Sequence, residues 1–95
     1  MTLNYVLIIH EVADYAAWKI IFDKASKIRK EAGEMSYQVF KYQNEPNKIV
    51  HLSVWTSHQH AKQFFESQEL VEIRKKAGVK QPAFIYLDQI ESGTL

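Results

Sequence analysis

The chain contains no cysteine, only three glycines and two prolines, and no surplus of either charge. Without a thiol, disulfides, thiolate nucleophiles and zinc–thiolate sites are excluded. None of the glycines falls in a phosphate-cradling G-x-G-x-x-G or P-loop pattern, and no G-x-S-x-G, H-E-x-x-H or EF-hand loop occurs. Twelve Lys and Arg against eleven Asp and Glu leave a net charge of +1, with no block of like charges. A partner held by phosphate neutralisation is therefore not expected, and no nucleic acid is assigned. The longest apolar run, Tyr5 to Ile9, is far short of the ~20 residues of a membrane span. Asn4, His10 and Glu11 interrupt the N-terminal segment, and no basic stretch precedes it, so no signal peptide and no membrane partner are expected. A cytoplasmic location follows as the expectation.

What is present is an ordinary globular balance, 46% hydrophobic and 24% charged, in 95 residues. That length suits one domain over residues 1–95. A chain this small buries only about 60–65% of its unfolded surface, so self-association would help it.

Leu3 to Val12 is rich in β-branched and aromatic residues and apolar on both faces, which predicts a strand buried on both sides. Asp14 is placed to cap a helix in which Trp18, Ile21, Phe22, Ala25, Ile28 and Ala32 form an apolar stripe. Lys19, Asp23, Lys24, Lys27, Arg29, Lys30 and Glu31 are assigned to its solvent side, with Asp23 and Lys27 as an i,i+4 pair. Gly33 closes it. Met35 to Gln43 alternates as a strand, Asn44-Glu45-Pro46-Asn47 reads as a turn, and Lys48 to Thr56 returns as the hairpin partner. On that return strand His51, Ser53 and Trp55 share one face, and Val50, Leu52 and Val54 the other. Ser57 caps a second helical region, whose periodicity resets at Ser67-Gln68 and which ends at Gly78. Val79-Lys80-Gln81-Pro82 leads out, Ala83 to Glu91 forms the last strand, and the final four residues form a frayed tail.

The order β-α-β-β-α-β predicts an α+β, ferredoxin-like fold with one four-stranded antiparallel sheet and both helical regions on one face. Strands one, three and four are apolar on both sides, so a second surface would be left wet in a monomer. Two such sheets packed face to face, as a homodimer, would cover it.

Four histidines are candidates for chemistry. His58 and His60 are two apart at a helix start and do not face each other, so no metal site is expected there. His51, in mid-strand, is either a satisfied core histidine or a pocket residue. His10 leaves strand one next to strand three and could approach Trp55, depending on a facing that the two-sided apolar pattern does not fix. Trp18, Trp55, Phe64 and Phe65 suit a core, and equally the wall of an apolar pocket with few polar anchors. Tyr37, Tyr42 and Tyr86 could supply phenolic donors. Arg74, one of two arginines, is either a solvated charge or a group orienting an anion at a pocket mouth. An RNA-recognition motif shares this element order, but its basic-Gly-aromatic-Gly signature is missing from Lys48 to Trp55.

Asp14-Tyr15-x-x-Trp18-x-x-x-Phe22, Trp55-Thr56-Ser57, Ala61-x-x-Phe64-Phe65-x-Ser67 and Leu70 through Lys75-Lys76-Ala77-Gly78 together resemble the antibiotic-biosynthesis-monooxygenase family of dimeric α+β barrels. The resemblance spans nearly the whole chain, and its motifs mark the scaffold more than the reaction. It implies a homodimer with a pocket between sheet and helices in each protomer. It also implies cofactor-free oxygenation of phenols, in which the substrate supplies the electrons that activate oxygen. A tryptophan ending strand three and a polar residue four positions earlier line the cavity in such enzymes; here these are Trp55 and His51. Where such oxygenases often carry tyrosine, this chain has Ala61. Haem-degrading relatives hold iron through a histidine whose place is taken by Arg74, which does not ligate haem iron.

The expectation is a cofactor-independent monooxygenase of a small aromatic or phenolic molecule, with no cofactor and no metal. His51 is its catalytic base or hydrogen-bond partner, and Trp55, Arg74, His10 and Phe64 are substrate-binding residues. The alternatives are a non-catalytic ligand-binding or stress-associated protein of the same fold, and a cyclase or isomerase using the same pocket.

Overall fold

The computed structural model describes residues 3–95. Strand β1 (Asn4–Val12) runs into Asp14, whose carboxylate accepts the Ala17 N–H at 2.9 Å and so starts α1 (Tyr15–Lys24). The predicted long helix is broken: α1 stops at Ala25 and α2 (Ser26–Ala32) follows. The Phe22 carbonyl, which would take the Ser26 N–H in an unbroken helix, instead takes the Arg29 Nη1 at 2.8 Å and the Ala25 N–H at 3.3 Å. A side chain inserted into the i→i−4 ladder is a recognised cause of a kink. The break also cancels the expected Asp23–Lys27 pair, and Asp23 bonds Lys19 at 2.6 Å.

Gly33, at φ +126°, turns the chain from α2 into β2 (Glu34–Tyr42). The hairpin is tighter than expected, with Gln43-Asn44 as its turn and β3 (Glu45–Trp55) starting before Pro46. Pro46 lies in an irregular stretch, where the register jumps from Lys41↔Ile49 to Tyr42↔Glu45, and there its missing N–H leaves no ladder bond broken. Ser57 accepts the His60 N–H at 3.0 Å and caps α3 (His58–Glu66), and Ser67 accepts the Leu70 N–H at 3.3 Å and caps α4 (Gln68–Lys76). The predicted reset thus lies at Ser67. After Gly78, strand β4 (Val79–Asp88) begins earlier than expected, because Val79-Lys80-Gln81-Pro82 pairs with β1 through a bulge in which Gln81 has φ +46°.

The four strands form one antiparallel sheet in the order β2-β3-β1-β4. This is the ferredoxin-like α+β arrangement. One sheet face meets the helices and carries the core: Val6, Ile8 and Trp55 pack with Ala61 and Phe65, while Val12 and Ile49 pack with Trp18, Phe22 and Ala77. On the other face Leu7 stands between Leu52 and Ile85, Tyr5 between Val54 and Leu87, and Ile9 between Val50 and Ala83. Phe40 extends that apolar row from β2, and Phe40, Ile85 and Leu87 are exposed. Among the described residues no helix is long and apolar enough to cross a membrane.

Candidate functional site

Alternation along β3 turns Ile49, His51, Ser53 and Trp55 toward the helices. Gly33 delivers Glu34 to the start of β2, opposite Trp55, and from there its carboxylate reaches two buried partners. Its Oε1 accepts the Arg29 Nε–H at 2.5 Å and its Oε2 lies 2.8 Å from His51 Nε2. Arg29, Glu34 and His51 are 6%, 7% and 4% exposed. The Arg29 guanidinium stacks over Phe22, 3.7 Å from the ring centroid, and lies 4.8 Å from the ring centroid of Tyr37, which meets Phe22 edge-on. Phe22 also meets His51 edge-on, at 5.0 Å.

This arrangement has a chemical consequence. An ionised carboxylate only accepts hydrogen bonds, so the Glu34 contact fixes the His51 proton on Nε2. Nδ1 is then the basic atom of a neutral imidazole. Arg29 balances the Glu34 charge, so the three side chains form a closed unit of guanidinium, carboxylate and imidazole.

His51 lies on the wall of a cavity of about 70 Å³ between sheet and helices, together with His10, Trp18, Phe64, Phe65 and Arg74. That volume holds a few water molecules, and is well under the ~150 Å³ of an apolar cavity that admits benzene. On the far side of Arg29 and Glu34 a more open cleft of about 380 Å³ is bordered by Ser26, Lys30, Tyr37 and Thr56. Arg29 borders both spaces.

The facing of β1 is now fixed, and it corrects the expected approach of His10 to Trp55. In the antiparallel register Trp55 lies across from Asn4, while His10 lies across from Ile49 at the other end of the strand. His10 instead packs on Trp18, with ring centroids 5.5 Å apart. It is 5% exposed, and neither ring nitrogen has a hydrogen-bond partner among the described residues. Burial above all, together with the nearby Arg74 charge and the repulsion His51 would exert when protonated, pulls its pKa down to about 4.

Trp55 is one layer back from the cavity. It is 1% exposed, donates Nε1–H to Ser53 Oγ at 2.8 Å, and packs against Phe64 and Phe65, which do line the cavity. Arg74 reaches inward: its Nη1 donates to the Phe65 carbonyl at 2.8 Å, its guanidinium sits 5.1 Å from the Phe84 ring, and burial lowers its pKa. His58 and His60 go separate ways, to the Leu87 carbonyl at 2.9 Å and the Thr56 hydroxyl at 2.8 Å.

Two members of this site, Arg29 and Glu34, escape the sequence reading, which puts Arg29 on the solvent side. A signal for Arg29 is there: it lies seven residues after Phe22 and four after Ala25, on the same stripe. Glu34 leaves none, because its partner His51 is distant in sequence and only the strand register joins them.

No curated protein matches the chain at a significant level. Among solved structures it is similar to a protein from Bordetella bronchiseptica assigned to the antibiotic biosynthesis monooxygenases, with 15% identity, both chains fully covered and a TM-score of 0.77. SnoaB, a cofactor-independent oxygenase from Streptomyces nogalater, is 12% identical over 99% of this chain and 96% of its own, with a TM-score of 0.66. A dimeric ferredoxin-like protein from an uncultured marine organism is 13% identical over 100% and 94%, with a TM-score of 0.64. At these identities the likeness is one of fold. The sequence pattern of the antibiotic biosynthesis monooxygenase family matches residues 13–76, most of the chain, and the protein belongs to that family.

Proposed function

We propose that the protein is a cytoplasmic, cofactor-independent monooxygenase of a small phenol, working as a homodimer of single-domain protomers. The observation that carries this reading is the carboxylate-held His51 on the cavity wall. With its proton fixed on Nε2, the imidazole offers Nδ1 to a phenolic hydroxyl, and the phenolate so formed is the electron donor for dioxygen. For phenol itself the balance is phenol plus O2 giving benzoquinone plus water, so one oxygen atom enters the ring and no external reductant is needed. Phe64 and Arg74 form the adjustable wall. Both are half-buried, and their displacement would enlarge a cavity of about 70 Å³ to the size of one ring. A monocyclic substrate fits this better than a polycyclic one.

The homodimer reading is supported by the apolar outer sheet face built on Leu7, Leu52 and Ile85, which a second sheet would cover. The dimeric ferredoxin-like protein of the same fold accords with it.

Oxygen uptake with phenol and hydroquinone tests the activity, with His51→Ala as the control that abolishes it. Turnover without oxygen would point to a cyclase or isomerase. Absence of both would leave a non-catalytic protein, the reading that the small volume of the cavity favours.

A further inference from the structure

His10 is the one buried side chain whose polar atoms go unpartnered among the described residues. Leaving both nitrogens of an imidazole without a hydrogen bond in an apolar wall is costly, and a leucine or phenylalanine would fill the same place without that cost. The ring is wedged against Trp18 and borders the cavity that His51 and Arg74 also border. In the β1–β3 register His10 faces Ile49 and Ile8 faces His51, so the two histidines are diagonal neighbours on one sheet face, about 7–8 Å apart by backbone position. Their environments differ. His51 is tied to Glu34, whereas among the described residues no carboxylate is bonded to His10, and the nearby Arg74 is itself cationic.

We propose that His10 is a ligand-binding residue, anchoring the hydroxyl group of the small arene that this cavity takes. An uncharged imidazole carries one N–H, and that N–H can donate to a hydroxyl oxygen while the hydroxyl keeps its own proton for His51 Nδ1. An ammonium could not donate favourably beside Arg74, and a plain hydrocarbon would leave His10 unpaired. The inference rests on the reading of this cavity as the substrate site, and it adds the group through which the ligand is recognised.

The test compares phenol with toluene, a ring of similar size lacking the hydroxyl, by calorimetric titration of the full chain. Wild type is expected to bind phenol at least ten-fold more tightly, and His10→Leu to reduce that preference to three-fold or less. In parallel, the His10 ring nitrogen resonances of the wild-type protein should move with phenol and stay put with toluene, a reading that needs no variant to fold. Phenol preference that survives His10→Leu, unmoved His10 resonances in the phenol complex, or no binding of either ring would each overturn the inference. Oxygen uptake is scored separately. Preference for phenol through His10 without uptake would sustain the inference and sink the monooxygenase reading, and uptake indifferent to His10→Leu would do the reverse.

Discussion

Glu34 Oε2 stands 2.8 Å from His51 Nε2, joining the first residue of β2 to the middle of β3 across a buried contact. The other oxygen of the same carboxylate holds Arg29, so the contact orients the imidazole while its charge is balanced from α2.

Removing either charge strands the other. Glu34→Gln leaves the buried Arg29 unpaired and is expected to cost about 3–5 kcal/mol of stability by chemical denaturation. Arg29→Met should cost a similar amount. Because the two share one contact, the double variant should lose clearly less than the sum of the single losses. Strict additivity would mean that the pair is not coupled.

His10 makes stability depend on pH in a definite direction. Its folded pKa, about 4, lies below the ordinary 6.5, so below pH 6.5 the unfolded chain takes up a proton that the folded chain refuses. Stability from this group is complete above pH 6.5 and is lost as pH falls toward 4, by about 3 kcal/mol. Denaturation of wild type and His10→Leu from pH 8 to 4 isolates the effect as the difference between the two curves. Parallel curves would refute it.

Leu52 and Ser53 are adjacent but face opposite ways. Leu52→Asp puts a charge on the outer sheet face and should yield a folded monomer near 11 kDa by light scattering. Ser53→Asp buries a charge at a site 1% exposed, beside the Trp55 N–H, and should unfold the chain by circular dichroism. A stable dimer from Leu52→Asp would refute the face-to-face pairing.

Gly33→Ala tests the α2–β2 turn. At φ +126° a side chain is strained, and a Cβ would sit 2.5 Å from Thr56 Oγ1. A loss of about 1–3 kcal/mol is expected, read as a lowered Tm.

The fold is legible in the sequence because its signals are local. Asp14, Ser57 and Ser67 each bond an amide within their own first turn, and Gly33 and Gly78 take the positive φ that their positions demand. The site is less legible because its bonds are not local. His51 stands out as a polar residue on the inward face of an apolar strand, but Glu34 joins it only through the β2–β3 register. Arg29 is hidden by its residue type, since a charge on a helix is normally solvated. The break at Ala25 follows from that same buried arginine, so missing one meant missing the other. The facing of β1, and with it the place of His10, could not be read from a strand apolar on both sides.

The bulges bear on how copies of this protein can come together. The sheet has two free margins, β2 and β4, and each is interrupted: β2 where Met35 adds an unpaired residue between Glu34 and Ser36, β4 at Gln81 and Pro82. A strand arriving from another molecule would find neither margin straight, and at Pro82 no N–H to bond. Growth by strand addition, the route to fibrils, is thereby discouraged at both ends. The broad apolar surface remains the open route, and burying it once between two copies ends the association instead of propagating it.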